Sequence, residues 1–337
     1  MERKVLEVIG MLAVGIVAVI GIFSIVGFDQ IIESIFQMNP FYYALVIVVI
    51  ILSMLVWSLR WGIFVRKSNP EVSRWDLFKI MFVGQAMNNL TPVFKMGGEA
   101  GRIYLLKRKY KIKVNEGLAS ISTDLILEFI VDMVLVFSAV ILLMVLKSPP
   151  VWIYTILLVF LLVCSLIIFV IVEIYFDMKI IHKFIDFLFT KIKRLNKYRD
   201  HVFERYDSFR KNFRESLADR KRFAEGFSLS VGRKGLTIVK YYILLAAFGY
   251  NIGLVNIVIA IGLGLMLLMI PATPGNLGIY EGGMISVFIF VGVSPGVAAT
   301  AVFLDRLVWF WGITAVGGSL GSKYGLELIS EKVTDKY

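Results

Sequence analysis

Three carboxylates recur every four residues inside one long apolar run of this sequence. Asp124, Glu128 and Asp132 therefore lie on one face of the helix that the run Leu118–Leu146 predicts. Asp124 is predicted to lie near the inner interface, where it is either solvated or buried. A charge at the centre of a bilayer costs about 2.5–3.5 kcal/mol on insertion scales, so we expect the deeper Glu128 and Asp132 to face the interior of a helix bundle. There they can pair with Arg306, bind a coupling cation or carry a proton, and their spacing leaves these roles open.

A second pair of charges lies in the apolar run Val297–Leu320, where Asp305 precedes Arg306. Adjacent residues point in different directions on a helix, so we do not expect these two to neutralise each other. Asp305 is therefore a further candidate for coupling or charge pairing.

Two other apolar segments share a motif in which a proline follows a threonine and a glutamate lies seven residues after the proline. Its two copies comprise Thr91, Pro92 and Glu99, and Thr273, Pro274 and Glu281. Glycines accompany both copies, namely Gly97 and Gly98, and Gly275 and Gly278. Proline lacks an N–H and glycine exposes backbone, so each break leaves peptide groups that need a partner at membrane depth.

Such a break can bind an anion, because free N–H groups at the start of a half-helix attract a phosphate. The polar side chains able to complete a site at the two breaks are Asn88, Asn89, Thr91, Thr273, Arg102 and Arg306. The amides and hydroxyls can instead hold the freed backbone. Arg102 can pair with Glu99, three residues earlier on the same helix face, which would reduce its capacity to bind phosphate.

The composition indicates a multi-pass membrane protein. Of 337 residues, 58% are hydrophobic and 18% are charged, and the mean hydropathy is +0.80. The net charge of +11 fits basic cytoplasmic loops better than a nucleic-acid site. Cys164 is the one cysteine, and His182 and His201 both lie in a polar stretch. We therefore predict no catalytic residues, no metal site and no cofactor, and the lack of a GxxxxGK[ST] loop argues against ATP hydrolysis.

Six full spans are predicted, at Val5–Val26, Phe41–Leu59, Leu118–Leu146, Val151–Ile174, Gly235–Tyr250 and Val297–Leu320. The loop around Asp29 and Glu33 has no basic residue and is placed outside. The next loop is placed inside by its basic residues, Arg60, Arg66, Lys67 and Arg74. Both termini are then cytoplasmic, and the protein is expected in the plasma membrane.

This topology requires the segments Asp76–Tyr110 and Ile252–Val293 each to begin and end on one side of the membrane. Each is therefore a re-entrant or closely paired hairpin, and the two enter from opposite faces. The order span, broken hairpin, acidic span occurs twice in opposed orientation, which is typical of an inverted-topology repeat. The predicted fold class is an all-α polytopic membrane protein with six spans, two broken hairpins and such a repeat.

The predicted organisation has five parts along the chain. They are an N-terminal span and outer loop (1–40), a first repeat with the following span (41–176), a basic stretch (177–234), a second repeat (235–320) and a cytoplasmic tail (321–337). The basic stretch holds 16 Lys+Arg and 8 Asp+Glu, a net +8. Its apolar residues have helical periodicity, which predicts two amphipathic helices. They form either a positive-inside connector or a surface that gathers anionic lipids.

Three blocks of this chain resemble the lysylphosphatidylglycerol synthetase transmembrane (flippase-like) family. They are, in chain order, Asn88–Pro92, Gly97–Arg102 and Pro271–Glu281, with Glu128 and Asp132 between the last two. The resemblance extends over about Val5 to Leu320. The last of these blocks departs from the family's usual Gly-Gly-Leu-Gly, because this chain has Gly275-Asn276-Leu277-Gly278. The resemblance implies a flippase-like unit without the soluble synthetase domain, so aminoacyl transfer is not implied.

The leading interpretation is a flippase that moves an anionic phospholipid or a polyprenyl-phosphate-linked lipid between leaflets. Its expected partners are lipids with anionic headgroups and a lipid-synthesising enzyme, and no nucleic acid. One alternative is an intramembrane transferase whose carboxylates Asp124, Glu128 and Asp132 hold Mg²⁺. Another is a proton- or Na⁺-coupled carrier of small solutes, which would share these sequence features.

Overall fold

The computed structural model describes residues 2–91, 96–146, 151–191, 199–268 and 273–334, and these residues form helices and no strand. The helices of the first half are α1 (Glu2–Val26), α2 (Phe28–Gln37), α3 (Pro40–Ser68), α4 (Arg74–Leu90), α5 (Met96–Tyr110), α6 (Val114–Leu146) and α7 (Val151–Phe176). Those of the second half are α8 (Ile180–Lys191), α9 (Arg199–Ala218), α10 (Arg220–Ala246), α11 (Gly253–Leu268), α12 (Ile279–Phe290), α13 (Pro295–Arg306) and α14 (Ile313–Thr334). The predicted all-α class is confirmed.

Four helical segments within the described residues are long and apolar enough to cross a membrane. They are Pro40–Ser68, Val114–Leu146, Leu157–Phe176 and Pro295–Tyr324. These correspond to four of the six predicted spans. The segments Ala13–Val26 and Phe28–Gln37 add a fifth if they are taken as one span bent by 80°. The predicted count of six full spans is therefore not confirmed.

The N-terminal region differs from the expected span and loop. Residues around Asp29 and Glu33 form the helix α2 and not an irregular loop. The turn between α1 and α2 is made at Gly27, whose φ of 97° is accessible to glycine at little cost. α2 then packs against α13, where the hydroxyl of Thr300 lies 3.4 Å from the carbonyl oxygen of Ile31.

α3 is longer than the predicted span Phe41–Leu59, and this changes the position of Arg60. The side chain of Asn39 accepts a hydrogen bond from the N–H of Phe41, and Pro40 follows at the first helical position. The helix then continues to Ser68. Arg60, assigned to an inside loop by its charge, is instead a fully buried residue within α3.

α10 likewise begins at Arg220 and not at Gly235, with Asp219 as its N-cap. It runs antiparallel to α3 over most of its length. Arg60 bonds to the hydroxyl of Ser230 near one end of the pair. The N–H of Asn39 donates to the carbonyl of Ala247 at the other end. Arg233 and Lys234, placed in the basic stretch by sequence, are consequently buried in the bundle.

Both broken segments form helical hairpins. α4 packs on α5, and α11 packs on α12. The first arm of each hairpin also packs against a long helix of the other half. Gly317 of α14 lies against Ala86 of α4, and Gly262 of α11 lies against Ala139 of α6. This reciprocal packing of each hairpin on the other half, together with the antiparallel α3–α10 pair, is the arrangement that an inverted repeat requires.

The first unit of this arrangement is α3–α6 and the second unit is α10–α14. The second unit includes residues 220–234, although the predicted repeat begins at 235; the domain limits themselves remain predictions. Between the two units, α8 and α9 lie where the apolar periodicity predicts two helices. α9 packs along α6 and buries Phe213 there.

Candidate functional site

The tip of the first hairpin is held by amide side chains. Asn88 Oδ1 accepts a hydrogen bond from the N–H of Gly98 at 2.7 Å, and Asn88 Nδ2 donates to Glu99 at 3.3 Å. A Cβ at Gly98 would come within 2.6 Å of the Asn88 side chain, so the two arms approach this closely only with glycine. Thr91 Oγ1 donates to the carbonyl of Met87.

Gly97 packs against Thr91 at the same tip. Pro92, a predicted site residue, lies outside the described residues. Asn88 and Thr91 therefore hold backbone here, which is one of the two roles their side chains allowed.

Asn89 connects the first hairpin to the second unit. Its Nδ2 donates to the carbonyl of Phe310 at 3.2 Å and to Thr314 Oγ1 at 2.9 Å. Phe310 belongs to a π-helical segment, Leu307–Gly312, between α13 and α14. π-Segments inside α-helices are frequent at functional sites, since they displace the residues next to them by one position.

The tip of the second hairpin is a short 3₁₀ turn that begins at Pro274. Thr273 Oγ1 donates to the carbonyl of Leu277, and Glu281 accepts from the N–H of Gly278 at 2.7 Å. Gly275 and Gly278 have φ values of 59° and 86°, which favour glycine. A Cβ at Gly275 would also collide with Phe310 and lie 3.1 Å from the backbone oxygen of Asn89. The two hairpin tips thus meet inside the bundle.

A cluster of ion pairs joins α3, α6 and α10, which we call the Arg60 network. Arg60 Nε lies 2.6 Å from Asp124, and Arg60 Nη1 contacts Glu128. The side chains of Arg60 and Asp124 are completely buried. Trp57 Nε1 donates to the second oxygen of Asp124 at 3.0 Å.

Two bases of α10 complete the Arg60 network. Arg233 and Lys234 lie 3.0 and 2.7 Å from Glu128, and Lys234 also lies 2.5 Å from Asp132. The network therefore contains three acids and three bases among the described residues. The pairing of these acids with Arg306, one of the three roles considered from sequence, is wrong.

A second cluster joins α10, α12 and α13, which we call the Lys240 network. Lys240 Nζ lies 2.6 Å from Asp305, and the Tyr241 hydroxyl donates to the other oxygen of Asp305 at 3.1 Å. The hydroxyls of Tyr241 and Tyr280 are 2.7 Å apart.

Arg306 holds the second hairpin within the Lys240 network. Its Nε lies 2.7 Å from Glu281, and its Nη2 donates to the carbonyl of Gly275 at 3.1 Å. Asp305 and Arg306 have different partners, as their adjacent positions on one helix predicted.

Arg102 pairs with Glu99 at 2.6 Å, which is one of the two roles that the sequence left open for it. The Arg102 side chain is almost fully buried, and its guanidinium lies over the rings of Trp57 and Trp61. Arg102 is therefore fixed next to the Arg60 network by one carboxylate and two indoles. Glu281 and Arg306 form the corresponding pair of a hairpin glutamate with an arginine in the second unit.

A cavity of about 130 Å³ lies between α3, α10, α11, α12 and the end of α13. Its charged lining residues are four bases and one acid, namely Arg233, Lys234, Lys240, Arg306 and Asp305. The hydroxyls of Tyr241 and Tyr280 belong to residues of the same wall, and apolar side chains of α3 and α11 line the remainder. Bases therefore outnumber acids among the residues of this wall, and each of these bases also contacts a carboxylate.

Several residues of this site were missed from sequence. Arg60, Arg233 and Lys234 were counted among inside charges, and Lys240 lay within the predicted span Gly235–Tyr250 without an assigned role. The spacing of the α10 residues could have identified them as one group. Lys240 and Tyr241 follow Arg233 by seven and eight residues, so the three share one helix face. In the described part of the chain, no three acidic, cysteine or histidine side chains are grouped as metal ligands.

The two networks occupy equivalent places in the two units. Arg60 and Asp124 are 64 residues apart, and Lys240 and Asp305 are 65 residues apart. In each unit the first long helix supplies the base and the helix after the hairpin supplies the acid. Fold and site together define a helical, multi-pass membrane protein built from two opposed units, each with a broken hairpin.

The chain belongs to the family described as lysylphosphatidylglycerol synthase TM region, which matches residues 8–317. A UPF0104 membrane protein of Methanothermobacter thermautotrophicus is 28% identical over 334 residues, covering 97% of this chain and 98% of that protein. UPF0104 membrane proteins of Pyrococcus horikoshii and Methanocaldococcus jannaschii are 27% and 24% identical, over 95% and 91% of this chain and 98% and 92% of theirs. No solved structure matches this chain.

Proposed function

We propose that this protein is a flippase or translocase that moves an anionic lipid, either a phospholipid or a polyprenyl-phosphate-linked lipid, between the two leaflets of the plasma membrane. The headgroup would enter the cavity between the two networks. Both termini would lie in the cytoplasm, as the loop charges indicate.

The observation that carries this proposal is the excess of bases on the cavity wall. Arg233, Lys240 and Arg306 line the cavity together with Lys234, whereas Asp305 is the acid of its lining. Placing several cations at membrane depth is costly, so they are retained where they bind something. A phosphate group fits this chemistry, because guanidinium and ammonium groups bind it by charge-assisted hydrogen bonds.

Three of these bases also lie over an aromatic ring, which gives them a contact that remains when a carboxylate is exchanged for a ligand. Arg233 lies 4.6 Å from the centre of the Trp57 ring, and Arg306 lies 4.3 Å from that of Tyr280. Lys240 lies 4.1 Å from the Tyr241 ring. Cation–π contacts of this kind strengthen when both groups are desolvated.

The opposed hairpins supply the second support. Irregular backbone at membrane depth is tolerated where it is buried in protein or lines a cavity, and broken helices of inverted repeats meet around substrates in transporters. The relationship to a family named for lysylphosphatidylglycerol synthesis agrees with a lipid substrate.

The two alternative functions fit the geometry less well. A Mg²⁺-dependent transferase needs free carboxylates, but Asp124, Glu128 and Asp132 each contact a base. A carrier of small solutes could use the same cavity. A lipid probe and a soluble anion with the same charged group, such as phosphatidylglycerol and glycerol phosphate, distinguish these functions.

The test uses purified protein in phosphatidylcholine vesicles that contain a trace of acyl-labelled fluorescent phosphatidylglycerol. Dithionite bleaches the label in the outer leaflet, so a bleached fraction above one half reports movement. We expect faster movement with protein than without it, and none for fluorescent phosphatidylcholine beyond the background.

Variants connect the movement to the cavity. Lys240→Gln should slow the movement at least tenfold, since a charge-assisted contact of about 1.5–3 kcal/mol is lost. Lys221→Gln, at an exposed position of the same helix, is the matched control and should retain the wild-type rate. Equal rates with and without protein, or a Lys240→Gln rate equal to that of the control, would contradict the proposal.

A further inference from the structure

The buried charges of the two networks balance in the absence of ligand. The five bases are Arg60, Arg233, Lys234, Lys240 and Arg306, and the five acids are Asp124, Glu128, Asp132, Glu281 and Asp305. Among the described residues these groups form a closed set of ion pairs. An anionic headgroup that binds the cavity bases therefore separates at least one base from its acid and adds an uncompensated negative charge at membrane depth.

That negative charge has to be compensated, because an unpaired charge inside a bilayer is costly. A carboxylate that has lost its cation in a low-dielectric site binds a proton instead. The position of the released carboxylate therefore determines where a proton would be taken up.

Asp305 is the acid best placed for this exchange. It lines the cavity, and Lys240 is its cation in the structure, whereas Glu128 contacts three bases. Asp132 also has one cation, Lys234, but it does not line the cavity.

The surroundings of Asp305 can keep a protonated carboxyl in place. The Tyr241 hydroxyl remains as a neutral hydrogen-bond partner when Lys240 turns away, and Tyr280 extends this hydroxyl chain toward Arg306. α2 also packs on α13, but its acids Asp29 and Glu33 are exposed. The ionisable groups that face Asp305 from the packed helices are Lys240, Tyr241, Tyr280 and Tyr43, and Arg306 follows it in the chain.

We infer that the headgroup and a proton are bound together: the anion takes Lys240 from Asp305, and Asp305 takes up one proton from water. An O–H bond of a hydronium ion in the aqueous phase breaks as the O–H bond on Asp305 forms, and water is released. No bond of the lipid breaks, and the loaded site stays neutral. This inference rests on the proposed function and identifies its coupling ion, so that a pH gradient would drive an anionic lipid across the membrane.

Proton uptake on binding can be measured without transport. Calorimetric titration of the full-length protein in detergent with dihexanoyl-phosphatidylglycerol, in two buffers of different ionisation enthalpy at pH 7, gives the number of protons bound per lipid. We expect about one for the wild type and for Asp29→Asn, whose carboxylate is exposed and lies outside both networks, and about zero for Asp305→Asn. Asp305→Asn should also bind the lipid more tightly, because the competing carboxylate is gone.

Each outcome of this titration either supports or contradicts proton uptake by Asp305. Zero uptake by the wild type contradicts proton coupling, and unchanged uptake in Asp305→Asn assigns the proton to another group. Weaker or absent lipid binding by Asp305→Asn contradicts the competition between carboxylate and headgroup.

A vesicle experiment separates the coupling from the transport itself. Fluorescent phosphatidylglycerol is followed to its final distribution under an imposed difference of one pH unit, with potassium and valinomycin holding the membrane potential at zero. One proton per lipid gives about a tenfold enrichment on the alkaline side, to which each lipid carries its proton down the gradient.

Movement that ends at an even distribution would contradict coupling and leave the proposed function standing. No movement at all would contradict both. The neutral variant Lys240→Gln with Asp305→Asn should give no enrichment, and enrichment equal to the wild type would contradict the role of this pair.

Discussion

The Arg60 and Lys240 networks begin from the same pair, a base on one helix and an acid 64 or 65 residues later, and they differ in what surrounds that pair. Arg60 and Asp124 are completely buried, and Trp57 and Ser230 occupy further polar atoms of the pair. Lys240 and Asp305 line a cavity.

The same kind of charge pair can therefore stabilise the fold in one unit and bind a ligand in the other, depending on its surroundings. A buried pair with several additional partners resists exchange, because each partner must be replaced when the pair opens. A pair beside a cavity can exchange one partner for a ligand. We therefore assign the pair of Arg60 and Asp124 to holding α3 and α6 together, and the pair of Lys240 and Asp305 to binding.

The largest expected effect is that of Arg60→Ala on stability. The substitution leaves the buried carboxylate of Asp124 without a cation, which typically costs about 3–5 kcal/mol. We expect a marked fall in the melting temperature of the detergent-solubilised protein, or failure to obtain folded protein. Arg66→Ala, near the end of the same helix with bonds only to the carbonyl of Pro70 among those described, is the control.

A melting temperature of Arg60→Ala close to that of Arg66→Ala would remove the distinction between the networks. If Lys240→Gln lowers the melting temperature as much as Arg60→Ala does, both pairs stabilise the fold, and the assignment of the Lys240 pair to binding is contradicted.

The second-largest loss of stability is expected when the arginines that pair with the hairpin glutamates, Arg306 and Arg102, are replaced. Arg306→Lys keeps the charge but cannot contact Glu281 and the carbonyl of Gly275 together, so we expect a loss of about 1.5–3 kcal/mol in stability. Arg102→Lys gives up a single carboxylate contact and should lose less. Thermal unfolding of both variants checks the order, and a larger loss for Arg102→Lys would reverse it.

The helix pattern of this molecule was largely predictable, and its charge partners were not. The paired breaks at Pro92 and Pro274 and the four-residue repeat of Asp124 and Glu128 are local features, so the hairpins and the acidic face follow from spacing. Arg60 was misplaced because the positive-inside rule assigns basic residues near a helix end to a loop. Its burial depends on α10, which begins 160 residues later at Arg220.

Local pattern also could not identify the cavity. Lys240 and Arg306 come from different helices of the second unit, α10 and α13, and the cavity wall is completed by α3 of the first unit, which packs antiparallel to α10. Sequence rules that treat each charge against its own helix favour interfacial positions for such residues. The pairing of Arg306 with Glu281, and not with Glu128, is likewise a consequence of how the second hairpin folds back.

A smaller effect is expected where the first hairpin meets the surface. At its open end, outside the spanning segments, Tyr110 donates a hydrogen bond to Asp76, which Lys109 also contacts at 2.8 Å. Burial and this bond raise the pKa of Tyr110 to about 12. Burial acts to raise the pKa of Asp76, but the bonds from Lys109 and Tyr110 lower it below its usual value.

These shifts predict a pH dependence. The contribution of Tyr110 is complete below pH about 10 and is lost as the pH rises through about 12, while that of Asp76 is lost as the pH falls below about 4. Tyr110→Phe should cost about 0.5–1.5 kcal/mol at pH 7, and its difference from the wild type should shrink above pH 12. Melting curves over this range test it, with the exposed Tyr104→Phe as the control.

The smallest effect separates the two tyrosines of the Lys240 network. Tyr280→Phe removes the hydroxyl that contacts Tyr241 but leaves Asp305 its own bond from Tyr241, so the stability should fall by about 0.6 kcal/mol, typical of a hydrogen bond inside a membrane protein. Tyr241→Phe removes the bond to Asp305 itself and should cost more. Because Asp305 then lacks its neutral hydrogen-bond partner, Tyr241→Phe should also weaken binding of dihexanoyl-phosphatidylglycerol. Equal binding of this lipid by both variants would mean that the tyrosine hydroxyls do not support the exchange of partners at Asp305.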